Sequence, residues 1–376
     1  MEKVRKEAVL TRDDFDGGPV SLDLIEENLY LGNVTAACDI PTLTELNIKY
    51  ILTIDSVPLP RHITENENFI TKYIQITDIP KEDILSVFEC TNMFISEALD
   101  NNLTILVHCY YGMSRSAAII IAYFMNKYNL QYEEAYQRVK SKRNLVSPNP
   151  GFITQLKLYG SMGSKIDRTN NKYKMYRLKI AADKVRKVKI LPQSCMELIQ
   201  PDPALLQERP DPLVYRCRKC RRILACQSNV ITHKKGKSVE DMSNTSQNDE
   251  IKTMSDMSAS ENEITNSSIS GDDVATIGSK TKSTSENSQS NESINIPNMR
   301  SNCSQTYFVE PIAWMKEVTH NTQGKLYCPH CKNKLGSFNW LMGCQCPCGT
   351  KVSPAFYLVP SKVEWSNVVQ NIESTI

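Results

Sequence analysis

The stretch that most restricts the fold reads Ile105-Leu106-Val107-His108-Cys109-Tyr110-Tyr111-Gly112-Met113-Ser114-Arg115-Ser116. It is an apolar strand, a cysteine, a short loop, an arginine and then a helix. A strand that passes so quickly into a helix belongs to an α/β layer structure, with the loop outside the carboxyl end of the strand. The order gathers one thiol, several backbone N–H groups and one guanidinium around a single point. Such a point is a cradle for a phosphate dianion with a nucleophile beneath it.

The chemistry asks for these residue types at this spacing. The thiolate, not the thiol, is the nucleophile. The loop from Tyr110 to Ser114 is expected to turn its N–H groups inward. The helix that starts near Ser114 aims its positive end at the sulfur, and both effects favour the anion. The same donors then bind the phosphate, which places Tyr110, Tyr111, Gly112, Met113 and Ser114 around it together with Arg115. Gly112 allows a tight or left-handed turn without a Cβ clash. Arg115 can grip two phosphate oxygens with its planar fork, which a lysine cannot do. Ser116 can donate to the sulfur when it leaves. A cysteine after a buried strand is by itself most often a packed small apolar residue. The company of His108, Gly112, Arg115 and Ser116 argues for the nucleophile.

A thiolate attacking a phosphate ester needs an acid for the leaving oxygen. The candidate is Asp78, in Tyr73-Ile74-Gln75-Ile76-Thr77-Asp78-Ile79-Pro80, where an alternating strand runs into a loop that Pro80 stiffens. The interval to Cys109 holds one helix and a return strand, so the ends of two neighbouring parallel strands can share a site. A lone Asp in a loop is as often a turn former or a helix cap. Glu82 and Asp83 lie close by and read as first-turn charges of the helix that follows, so spacing alone leaves the acid open.

These residues resemble the cysteine-dependent protein phosphatases: His108-Cys109, five loop residues, Arg115-Ser116 and an upstream Asp78. Asn28-Leu29-Tyr30-Leu31-Gly32-Asn33, Ala122-Tyr123-Phe124-Met125 and Val146-Ser147-Pro148-Asn149-Pro150-Gly151-Phe152 with Gln155-Leu156 narrow the likeness to the dual-specificity group, over roughly residues 21 to 160. The resemblance implies a thiophosphate on Cys109, Asp78 as acid and then as base towards water, and phosphate binding by Arg115. It also implies a shallow pocket open to phosphotyrosine, phosphoserine and phosphothreonine. Polyphosphate-lipid phosphatases of the superfamily tend to carry lysine where this loop has Tyr110, Tyr111 and Met113. A pocket without extra cations suits a phosphomonoester on a protein.

The fold class expected is α/β: a central, mainly parallel sheet flanked by helices over residues 21–163, followed by a small zinc-stabilised β-rich domain. Tyr50 to Ile54, Tyr73 to Ile76 and Ile105 to Val107 are apolar enough for buried strands. Ile84 to Leu99, Ala117 to Tyr128 and the segment carrying Tyr132, Ala135, Tyr136 and Val139 read as helices, and Asn149-Pro150 as the start of another. Residues 1–20 read as a tail.

The chain has 376 residues and a net charge of +2, so as a whole it is no nucleic-acid magnet. The run Ile119 to Ala122 is too short to span a bilayer, and the first residues do not read as a signal peptide. Residues 164–213 are expected to be a solvated basic helix with one apolar stripe, rather than a nucleic-acid contact, followed by a Pro-rich linker.

Thirteen cysteines, mostly in Cys-x-x-Cys or Cys-x-Cys pairs, argue for metal in a reducing compartment. Zinc takes four thiolate or imidazole ligands, and Cys-x-x-Cys offers two from one turn. Cys217 and Cys220 with His233 and Cys303 complete one expected site. Cys328 and Cys331 with two of Cys344, Cys346 and Cys348 complete a second, so about two structural zinc ions are expected. Cys226 and His330 read as bystanders. Cys217-Arg218-Lys219-Cys220-Arg221-Arg222, Phe308 to Met315 and Lys334 to Trp340 resemble the C-terminal domain of the zinc-binding dual-specificity phosphatases. That subfamily includes a yeast phosphatase linked to ribosome maturation. The likeness implies Cys346 and Cys348 as ligands, with Cys344 spare and an exchange of ligands open. It also implies a pre-ribosomal particle, its protein or its RNA, as a partner beside phosphoprotein substrates, in cytoplasm and nucleus and away from membranes. The expected zinc domain is 214–233 with 303–376. Residues 234–302, rich in Ser, Asn, Thr, Asp and Glu, read as a disordered insertion between two ligands, which loop-closure entropy tolerates.

Overall fold

The computed structural model describes residues 18–206, 211–235 and 303–367. The expected tail, up to residue 17, and the expected disordered insertion, from residue 236 to 302, lie outside the described residues.

The first lobe is built from β1 (Leu22–Glu26), β2 (Leu29–Gly32), α1 (Val34–Cys38), α2 (Ile40–Glu45), β3 (Ile48–Asp55), α3 (Arg61–Thr64), β4 (Ile70–Gln75), α4 (Phe88–Asp100), β5 (Thr104–His108), α5 (Arg115–Tyr128), α6 (Tyr132–Lys140) and α7 (Pro150–Gly160). Its sheet runs in the order β1-β2-β5-β3-β4. Only the β1–β2 hairpin is antiparallel; β2–β5, β5–β3 and β3–β4 are parallel. The central strands carry unbroken apolar runs because both faces are covered. On β5, Ile105 and Val107 face the core with α4 to α7, while Leu106 faces the smaller core with α1, α2 and α3. β4 departs from the expected buried strand. It sits at the sheet edge with one parallel neighbour, and its residues are exposed or half-buried.

α5 is the central helix, buried from Arg115 through Met125 and ended by Asn129 in the left-handed conformation (φ 52°). Asn149 caps α7 by accepting from the Phe152 N–H at 3.0 Å, with Pro150 in the first turn.

The segment expected to be a solvated linker is a structural part of both lobes. α8 (Asn171–Val188) buries Tyr173 in the first core. Its Leu178, Ala181, Ala182 and Val185 lie in the second core, joined by Leu191, Cys195 and Leu198 from the Pro-rich stretch. The apolar stripe is used on two sides, because Tyr173 and Leu178 face different lobes.

The second lobe contains β6 (Leu213–Cys217), β7 (Ile223–Cys226), β8 (Val230–Ile231), β9 (Tyr307–Val309), β10 (Gln323–Tyr327), β11 (Lys334–Asn339), β12 (Cys344–Gln345), β13 (Lys351–Val352), β14 (Ala355–Leu358) and β15 (Val363–Asn367). They form antiparallel sheets of order β10-β11-β14-β9-β8 and β15-β6-β7, with β12–β13 as a separate hairpin. Trp340, Phe308, Phe338 and Phe356 fill the centre. No helix of the described residues is long and apolar enough to cross a membrane.

Candidate active site and metal clusters

Three parallel strands deliver the site to one end of the sheet. β5 ends at His108, so Cys109 opens the loop and lies 1 % exposed at its base. Thr53 stands beside His108 in register, and their side chains meet at 2.8 Å. The Cys109 Sγ accepts from the Gly112 N–H at 3.2 Å and from the Ser116 hydroxyl at 3.1 Å. α5 begins directly after, at Arg115, so its N-terminal end faces the same point. Gly112 has φ +69°, and a Cβ there would lie 2.4 Å from the Gly32 carbonyl oxygen. Both facts require glycine at that position.

Arg115 is buried. Its Nη1 donates to Asp55 Oδ1 at 2.6 Å and to the Ile76 carbonyl at 3.3 Å. Its Nε is buried without a hydrogen-bond partner among the described residues and lies 3.6 Å from Asp78 Oδ2. An orphaned donor of this kind is costly unless something accepts from it. A phosphate oxygen placed in the cradle would be such an acceptor. Asp78 follows β4, and its Oδ1 accepts from the Ser114 hydroxyl and the Asn149 side-chain amide, each at 2.8 Å. About a third of the Asp78 side chain is open to solvent. The Ser114 side chain thus faces Asp78, Tyr111 is 60 % exposed at the rim, and Tyr110 meets the Tyr111 ring edge-on. Met113 is half-buried, and its carbonyl accepts from the Ser147 N–H at 2.8 Å.

Sequence reasoning missed three supports. Asp55 closes an apolar strand at the same sheet end as Cys109, a signal the strand order alone would have exposed. Thr53 has the same address. Arg143 leaves no local signal: it follows α6, is 2 % exposed, and donates to the Gly112 and Tyr111 carbonyls at 3.0 and 3.1 Å and to Asp23 at 2.7 Å. It ties the loop to β1.

The eight expected metal-ligand residues do come together, but in a different grouping. Cys217, Cys220, Cys328 and Cys331 form one cluster; His233, Cys303, Cys346 and Cys348 form the other. Cys344, Cys226 and His330 stand outside both. The correction has a local cause. Each Cys-x-x-Cys is the turn of a hairpin, β6–β7 or β10–β11, and each is followed by a residue of positive φ, Arg221 or Lys332. The turns are closed alike, by Arg221 N–H to the Cys217 carbonyl and Lys332 N–H to the Cys328 carbonyl. The two equivalent knuckles face each other. His233 and Cys303 instead lie side by side, joined by the Cys303 N–H to the His233 carbonyl at 3.0 Å.

Both donor sets fit a tetrahedral divalent ion. Within each cluster the ligand atoms lie within 4.8 Å of one another. Sγ atoms approach at 3.7 Å (Cys217–Cys331), 3.5 Å (Cys220–Cys328) and 3.7 Å (Cys303–Cys346), and Cys348 Sγ is 3.4 Å from His233 Nε2. Disulfide sulfurs would stand about 2.05 Å apart. Metal–sulfur bonds of about 2.3 Å in a tetrahedron set the sulfurs about 3.8 Å apart. Burial pushes the Cys328 thiol up to about 12 and raises Cys217 and Cys303 as well, while the Asn333 N–H leads in drawing Cys331 down to about 7. A bare cluster therefore resists full ionisation, and a cation is what would compensate four ligands in one place.

Residues 29–162 match the family described as Dual specificity phosphatase, catalytic domain. The chain is 46% identical over 374 residues to Dual specificity protein phosphatase MPK-4 of Drosophila melanogaster, which covers 100% of this chain and 95% of that protein. It is 32% identical over 343 residues to Dual specificity protein phosphatase 12 of Homo sapiens, covering 90% and 87% of the two chains. To Tyrosine-protein phosphatase YVH1 of Saccharomyces cerevisiae it is 28% identical over 371 residues, covering 89% of each. The match to the Drosophila melanogaster protein takes in the metal clusters as well as the first lobe.

Proposed function

This chain belongs to the dual-specificity protein phosphatases, and from that premise we propose that Cys109 hydrolyses phosphomonoesters of tyrosine, serine and threonine side chains in two steps. In the first, the Cys109 thiolate attacks phosphorus. The Sγ–P bond forms as the bond to the leaving oxygen breaks, and Asp78 gives that oxygen its proton. In the second, Asp78, now a carboxylate, takes a proton from water as the water attacks phosphorus. The Sγ–P bond breaks, phosphate departs and the Ser116 hydroxyl steadies the returning thiolate. Arg115 and the loop N–H groups hold the phosphate oxygens throughout, where charge shifts in an enclosed site.

One observation carries the reading: the buried Cys109 sulfur receives two donors at the head of α5, beside a buried Arg115 Nε that has no hydrogen-bond acceptor among the described residues. The test is phosphate release from a small aryl phosphate by the full chain. Cys109→Ser is expected to abolish it, because a serine hydroxyl without a base is a poor nucleophile. Persistent release by that variant would remove the mechanism.

We read the two clusters as structural zinc sites, held by Cys217, Cys220, Cys328 and Cys331, and by His233, Cys303, Cys346 and Cys348. Zinc there supplies folding energy to a small lobe and no step of the reaction. A second reading gives that lobe the main biological role, as a large-ribosomal-subunit assembly factor with catalysis secondary. Its support is that similarity to the relatives extends beyond the first lobe. Rescue of a null strain by Cys109→Ser but not by Cys331→Ser would favour it; the reverse pattern would dismiss it.

A further inference from the structure

The loop that carries Asp78 is held at four places. Ser114 and Asn149 hold Asp78 itself. At Pro80, α7 approaches so closely that a Cβ on Gly151 would lie 1.9 Å from the Pro80 carbonyl oxygen. Gln155 of α7 closes the far end: its amide donates to the Glu82 carbonyl at 2.7 Å, and its oxygen accepts from the Ile84 and Leu85 N–H groups at 3.0 and 2.9 Å.

The fourth hold comes from α8, which spans both lobes and packs Tyr173 and Tyr176 against the catalytic core. The Tyr176 hydroxyl of α8 lies 2.6 Å from Asp83 Oδ1 and 2.8 Å from Gln155 Oε1. One hydroxyl proton faces two acceptors, and the carboxylate makes the stronger bond. Burial, then the Asp83 carboxylate, pushes the Tyr176 hydroxyl far above its ordinary value, so it stays a donor.

α8 is itself fixed to the metal-cluster lobe. Lys174, two residues before Tyr176, pairs with Glu310 at 3.3 Å and donates to the Ser228 carbonyl. Asn171 bonds Thr232, the neighbour of His233. Leu178, Ala181, Ala182 and Val185 bury the opposite face of α8 in that lobe's core.

We propose that Tyr176 is a positioning residue for the general acid, through which the metal-cluster lobe sets the placement of the loop carrying Asp78. The proposal rests on the reading of Asp78 as the acid. Its signature follows from the chemistry of the first step. A nitrophenolate leaves without much help, whereas phenolate needs the proton from Asp78 as its bond to phosphorus breaks. A misplaced acid therefore penalises phenyl phosphate more than p-nitrophenyl phosphate. General destabilisation lowers both alike.

The measurement is kcat/KM of the full chain for both esters, because that ratio reports the steps through formation of the thiophosphate. Tyr176→Phe is expected to lower the phenyl phosphate value about tenfold and the p-nitrophenyl phosphate value by less than about twofold. Asp83→Asn, which weakens the same contact from the loop side, is expected to show the same selectivity. Asp78→Asn serves as the reference and should lose at least about a hundredfold on phenyl phosphate. If Asp78→Asn shows no selectivity for the leaving group, the acid assignment itself fails. If it does, and Tyr176→Phe and Asp83→Asn lower both esters equally or neither, the role of Tyr176 is refuted.

Discussion

At the scale of single residues, the grip expected of Arg115 depends on the carboxylate that holds its guanidinium, Asp55 Oδ1 at 2.6 Å. Cys109, Gly112, Arg115 and Ser116 lie in one stretch, where strand, loop and helix dictate their meeting. Asp55 and Arg143 reach the loop only through strand order and packing, so no spacing announces them. Asp55 decides whether Arg115 is usable. Two charges almost wholly buried are tolerable only as a pair, and removal of one partner typically costs about 3–5 kcal/mol. Among the described residues, Asp55→Ala leaves the Arg115 guanidinium with the Ile76 carbonyl as hydrogen-bond acceptor and the Asp78 carboxylate 3.6 Å from its Nε. The variant is expected to lose stability on that order in a denaturant titration, and to lose phosphate affinity with it. Asp55→Asn retains an oxygen acceptor and should fall between it and wild type. Equal stability of Asp55→Ala and wild type would mean the pair is not what seats Arg115.

At the scale of elements, the sheet was legible because its central strands are continuously apolar, and α5 because Ala117 through Met125 are apolar without a break. α8 was misread. Its many lysines and arginines suggested a solvated helix, but a long cationic side chain can bury its stem and pair its head. Lys174 does this, 4 % exposed against Glu310. Burial pushes the Glu310 carboxyl up, against the pull of Lys174. A carboxyl raised by folding binds its proton more tightly in the folded chain. Its cost is therefore absent below the ordinary value of 4.5 and grows as pH rises through the raised folded value. Lys174→Met removes the pull and enlarges the rise. The variant should be destabilised by about 3–5 kcal/mol above the raised value and by much less near the ordinary one. Lys174→Met with Glu310→Met should recover most of the loss and flatten its pH dependence. Urea titrations of the single and double variants at about pH 5 and about pH 8 make the comparison. A deficit independent of pH would show that packing, not the ion pair, fixes α8.

At the scale of the whole molecule, the cysteines were countable from sequence but their partition was not, because two equivalent knuckles leave several ways to complete a tetrahedron. The fold chooses by juxtaposing two hairpins, and the choice has consequences for how the lobe is wired. The first cluster ties β6–β7 to β10–β11, so it joins the two larger sheets of the lobe. The second ties the two ends of the long insertion to the β12–β13 hairpin, so it closes that loop whatever lies between. Loss of one ion should therefore leave the other in place. Two substitutions in one cluster should remove a single ion and be strongly non-additive in stability, whereas one in each should remove both and add. Elemental analysis of the full chain is expected to give about two zinc ions for wild type. It should give about one for Cys217→Ser, for Cys331→Ser and for the two combined, and about none for Cys217→Ser with His233→Ala. The grouping expected from the sequence makes the opposite demand: Cys217 and His233 would then share one ion, and their double variant would keep the second.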